Sequence, residues 1–95
     1  MDLKKLVEIK SKFVAREVGT ELILVPLVNN VAKMTELFTL NETAKFIWEN
    51  STETMLIEEL EGLMTDTFNI DKETAGKDIG VFLNQMESFF KKTDY

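Results

Sequence analysis

The sequence predicts an α+β domain, a three-stranded antiparallel sheet followed by three helices, on three observations. Apolar and β-branched runs punctuated by Gly19-Thr20 and Asn29-Asn30 fill residues 13 to 39. A helix start, Leu40-Asn41-Glu42, follows directly. From there to Phe90 the large apolar residues recur at helical spacing.

Each element follows from its residues. Leu3, Leu6, Val7 and Ile9 form either one amphipathic helical turn or a loose lead-in, so residues 1 to 12 stand apart as an N-terminal segment. Phe13 to Val18 and Leu22 to Val28 make a hairpin about Gly19-Thr20. Asparagine tolerates the positive φ of a tight turn, so Asn29-Asn30 leads into a third strand from Val31 to Thr39. Pro26 sits awkwardly in the central strand, because it cannot donate to the ladder; either the first strand ends before it or a bulge lies there. On the third strand, alternation groups Ala32, Met34, Glu36 and Phe38 on one face and Val31, Lys33, Thr35 and Leu37 on the other.

Asn41 caps the first of the three helices, with Ala44, Ile47 and Trp48 on one face, and Asn50-Ser51-Thr52 ends it. A second helix is expected over residues 54–65, with Leu56, Leu60, Leu63 and Met64 as its stripe, followed by a link in which Phe68 and Ile70 anchor. Asp71 caps the third, whose stripe is Ala75, Ile79, Phe82, Leu83, Met86, Phe89 and Phe90. Gly76 and Gly80 border that stripe, each at a cost of about 1 kcal/mol relative to alanine. Close approach of the third strand, or of an extended ligand between strand and helix, would offset this; a merely tolerated pair is the alternative.

Composition narrows the chemistry. The chain has 95 residues, 44% of them hydrophobic, enough for one core. It has no cysteine and no histidine, which removes disulfides, thiolate nucleophiles, Cys or His metal sites and Ser-His-Asp triads. No cofactor and no catalysis are expected. The net charge of −6 opposes binding to nucleic acid, which needs Lys and Arg to displace counterions from phosphates. No signal-peptide run and no apolar stretch long enough to span a bilayer is present, so a cytoplasmic protein without membrane attachment is expected.

A hairpin, a third strand and a capped helix followed by two more resemble a winged helix-turn-helix. The stretch Leu40-Asn41-Glu42-Thr43-Ala44 with Ile47-Trp48-Glu49 narrows the likeness: it is similar to the PqqD family, the pyrroloquinoline quinone biosynthesis protein D type. Phe13 to Glu17, Ile57 to Leu60 with Leu63, and Asp71 with Ile79, Phe82, Leu83 and Met86 extend the resemblance over residues 13 to 90, leaving 91 to 95 as a tail. Leu56 departs from the threonine that often opens the second helix in the family, and Glu87-Ser88-Phe89-Phe90 replaces its usual Gly-Leu ending.

The resemblance implies a recognition element that holds the leader of a ribosomally made precursor peptide as an added strand, between the third strand and the third helix, and presents it to a modifying enzyme, often of the radical S-adenosylmethionine type. Expected contacts are Met34, Glu36, Leu37 and Phe38 from the strand, and Lys72, Gly76, Ile79, Gly80 and Leu83 from the helix. Lys72 would neutralise an acidic leader residue, or is simply an exposed helix-start lysine. Two other readings stay open. One is a winged-helix DNA-binding regulator, with the third helix as its recognition helix. The other is an interaction module, in which edge-strand exchange or hairpin swapping makes a homodimer and Phe89, Phe90 and Tyr95 add to the interface.

Overall fold

Left-handed backbone at three residues folds the first half of the chain into a sheet. Gly19, at φ 62, turns β1 (Phe13–Val18) into β2 (Glu21–Val28), and Asn29 and Asn30, at φ 52 and 65, turn β2 into β3 (Val31–Ala32). Glycine adopts this conformation without a Cβ clash, and asparagine is the side chain that tolerates it best. β2 is central. β1 pairs along one side of it from Phe13↔Pro26 to Val18↔Glu21, and β3 and β4 (Phe38–Leu40) pair along the other, all antiparallel. The computed structural model describes residues 1–93.

The third strand, expected to run unbroken from Val31 to Thr39, is interrupted. β3 pairs Val28↔Val31 and Leu27↔Ala32, a register that would set Thr35 opposite Leu24; Phe38 stands there instead, so three residues are looped out. A 3-10 turn at Met34–Glu36 takes up the slack, closed by the Glu36 N–H donating to the Lys33 carbonyl at 3.0 Å. Pro26 supplies the physical reason. Its carbonyl accepts from the Lys33 N–H at 2.9 Å, so its nitrogen faces the third strand too, on the side where proline has no hydrogen to give. β1 does reach Pro26, and the irregularity falls on the opposite neighbour. Because the insertion is an odd number of residues, strand faces invert across it. Ala32 lies opposite Leu27 and Phe38 opposite Leu24, so the expected grouping of Ala32 with Phe38 does not hold.

Helices cover one face of this sheet. Residues 3–9 form α1 (Leu3–Ile9), capped by the Asp2 carboxylate accepting from the Lys5 N–H at 2.8 Å, and its Leu3, Leu6 and Ile9 are fully part of the core. The choice between helix and loose lead-in thus falls to helix. α2 (Glu42–Asn50) begins where Asn41 Oδ1 accepts from the Ala44 N–H at 2.9 Å; it buries Ile47 and Trp48, and the Ser51 hydroxyl donates to the Ile47 carbonyl at 2.6 Å where it stops. α3 (Ile57–Phe68) starts later and runs further than expected. Only Leu60 and Met64 of its proposed stripe are buried, while Leu56 and Leu63 are exposed, because these two lie on the flank turned from the core. Phe68 belongs to the helix itself and meets Phe46 edge-on at 5.2 Å.

α4 (Lys72–Thr93) is the spine of the domain. The Asp71 carboxylate accepts from the Thr74 N–H at 2.7 Å, and its bonds to Thr74 hold its pKa below the ordinary value. Ala75, Ile79, Phe82, Leu83 and Met86 are buried as their spacing predicts. Phe89 and Phe90 are half-buried against the core, and Tyr95 lies outside the described residues. Near the single tryptophan, the Lys10 ammonium lies 5.7 Å from the Trp48 ring centre. Burial lowers the pKa of that lysine, with Glu49 opposing.

Candidate functional site

The break in the third strand shapes a sheet edge. β4 pairs with β2 and with no other strand among the described residues. Since the Pro26 carbonyl faces the third strand, alternation turns the peptide groups of Leu24 and Leu22 the same way, toward Phe38 and Leu40. The N–H and C=O of Thr39 between them therefore point outward. An edge of this kind is a template for another extended chain, because its outward peptide groups have no partner within the sheet.

Beside this edge runs a trough along α4. One depression of about 430 Å³ lies between Phe38 of β4 and Asn84, Gln85, Ser88 and Phe89 of α4. A second, of about 230 Å³, lies between the start of α2, at Asn41, Thr43, Ala44 and Ile47, and Lys77, Asp78, Val81, Phe82 and Gln85 of α4. Gln85 borders both, so the two lie next to each other along the helix. Aromatic rings make one end apolar: Phe89 is 5.0 Å from Phe38 and 6.0 Å from Phe13, and Phe13 meets Trp48 edge-on at 5.9 Å. Val81, 52% exposed, adds an apolar surface midway, and the amides of Asn84 and Gln85 with the Ser88 hydroxyl offer donors and acceptors.

The residues expected at the site divide accordingly. Phe38 lines the trough, and Met34, Glu36 and Leu37 precede it, exposed, on the loop and approach to β4. The helix side is different. Ile79 and Leu83 are core residues, 1% and 6% exposed, and Lys72, Gly76 and Gly80 line neither depression. The reason is rotational. The glycine flank of α4 lies across the buried stripe from the trough, on the side of α3, where a Cβ on Gly76 would run into the Glu61 carboxylate. The wall that does line the trough includes Lys77 and Val81 opposite the start of α2 and Gln85, Ser88 and Phe89 beside Phe38 of β4, and of these only Phe89 belongs to the apolar pattern. Their spacing of four, four, three and one is one helix face, visible in the sequence once the side toward the sheet is known.

No helix among the described residues is long and apolar enough to cross a membrane. Among solved structures, the fold resembles the chain described as "TbiB1 in Complex with the TbiA(beta) Leader Peptide", with a TM-score of 0.64, 20% sequence identity, and coverage of 83% of this chain and 86% of that one. No curated protein matches the sequence. The family model of Coenzyme PQQ synthesis protein D (PqqD) matches residues 21–88, from the start of β2 to the Ser88 wall of the trough. That is more than two thirds of the sequence, and the chain belongs to the PqqD family.

Proposed function

We propose that this protein is a peptide-binding adaptor: it holds the leader of a ribosomally made precursor peptide as an added strand on the outer edge of β4 and presents it to a modifying enzyme. The observation that carries this reading is the coincidence of an open edge with a trough beside it. Main-chain bonds to Thr39 would give affinity irrespective of leader sequence. Alternate leader side chains would enter the trough, against Phe38 and Phe89 at one end and Val81 in the middle, and give specificity. Membership of the PqqD family and the likeness to a chain solved with a leader peptide support the same reading.

The enzyme served is of the radical S-adenosylmethionine type, and the site of action is the cytoplasm, where new precursor peptides are released. The test is a titration of isotope-labelled protein with the leader peptide encoded beside its gene, followed by amide resonances. Shifts are expected at residues 37–40 and along 77–89. Shifts confined to β1, or to the Gly76 and Gly80 flank, would refute the placement.

A further inference from the structure

The net charge of the chain is not spread over it. Residues 46–71 carry seven carboxylates and no Lys or Arg, whereas the rest of the sequence holds ten acidic and eleven basic residues. This segment contains α3, and α3 leaves an apolar flank without a partner. Leu56, the extended residue that caps the start of the helix, is 60% exposed, and Leu63, seven residues on within the helix, is 42% exposed. Glu59 and Asp66 stand beside them at the same spacing, both exposed, and Glu59 accepts from the Leu56 N–H at 3.0 Å. None of these four residues lines either depression of the trough. At the start of the helix a further hollow of about 330 Å³ is bordered by Met55, Leu56 and Ile57, with Lys4 the single cation among its lining residues beside Asp2 and Glu53.

Chemistry narrows what can cover this face. Exposed leucines spaced along one helix flank favour a partner with an apolar centre, since their burial is worth about 1.5–3 kcal/mol per side chain before ordering costs. The surrounding carboxylates act against a second copy of the same surface, against nucleic acid and against an anionic membrane, all of which bring more negative charge. A protein surface with apolar pockets rimmed by Lys or Arg satisfies both requirements.

We infer that the Leu56, Glu59, Leu63, Asp66 flank of α3 is the docking surface for a basic, apolar-centred patch on the modifying enzyme, separate from the trough that holds the leader. The inference rests on the adaptor reading. It gives that reading a geometry in which one molecule grips peptide and enzyme at once, through different elements.

The experiment measures two affinities for the full chain: for the purified modifying enzyme encoded beside its gene, at low and moderate salt, and for the leader peptide. The variants are the double charge reversal E59K/D66K and the double polar substitution L56S/L63S, each checked for native circular dichroism. Enzyme affinity of the unaltered chain is expected to fall on adding salt, and either variant should weaken it by about tenfold or more. Leader affinity should change less than about twofold, because additivity holds for separated sites. Unchanged enzyme affinity in both variants would overturn the docking surface while leaving the adaptor reading intact. Absence of leader binding by the unaltered chain would overturn the adaptor reading itself.

Discussion

A methyl group added at Gly80 would project into open space, whereas one at Gly76 would strike the Glu61 carboxylate of α3. Both positions lie inside a helix, where glycine is about 1 kcal/mol less favourable than alanine, so the two substitutions separate propensity from packing. Gly80→Ala should raise unfolding free energy by about 1 kcal/mol in denaturant titration. Gly76→Ala should gain less, since the flexible end of Glu61 must swing away. Val81 gives a functional contrast on the other side of the same helix. Being half-exposed in the trough, it should accept Val81→Glu with a stability change within about 0.5 kcal/mol. Leader affinity measured calorimetrically should nonetheless drop by about tenfold or more, as a carboxylate would be desolvated under the bound strand. Helix periodicity made the buried stripe of α4 legible but not its two flanks, because residues at equal angles from the core are equivalent until the neighbours on each side are known.

At the scale of elements, the third strand shows where sequence reading stops. Its residues, its preceding turn and the awkwardness of Pro26 are all legible, yet the outcome depends on which neighbour the proline nitrogen faces, a property of register rather than of composition. The three-residue loop at Met34–Glu36 leaves β4 only three residues long, so each outward peptide group on it counts for much of the proposed edge pairing. Thr39→Pro tests this. The lost N–H faces away from β2, where an edge strand tolerates proline, so the fold should survive while leader binding is abolished. Retained affinity in that variant, measured by fluorescence anisotropy of a labelled leader, would mean that the guest does not pair with β4. The α3 boundary shows a similar limit: Leu56 and Leu63 match a helical stripe in spacing, and only the rotation of the helix on the core reveals that they are exposed.

Considered as a whole molecule, the domain is held by one core to which both ends of the described chain contribute. Leu3, Leu6 and Ile9 of α1 are at most 3% exposed and belong to the same cluster as Met86 of α4. A chain beginning at Phe13 would lose three buried aliphatic side chains, each worth about 1.5–3 kcal/mol before entropy. Against a typical total stability of about 5–15 kcal/mol, such a truncation should be largely unfolded or melt far lower by circular dichroism. The short amphipathic pattern of residues 3–9 left helix and loose lead-in open, because one or two helical turns have no stability of their own and form only where a core receives them. The row of rings from Phe38 through Phe89 and Phe13 to Trp48 was equally hidden, joining residues far apart in sequence. That row gives the molecule an optical readout. The single indole is shielded from solvent, and Phe13 alone stands between it and Phe89 of the trough, so its emission should move when a leader displaces Phe38 or Phe89. Phe89→Leu should silence the signal, turning intrinsic fluorescence into a label-free titration of the groove.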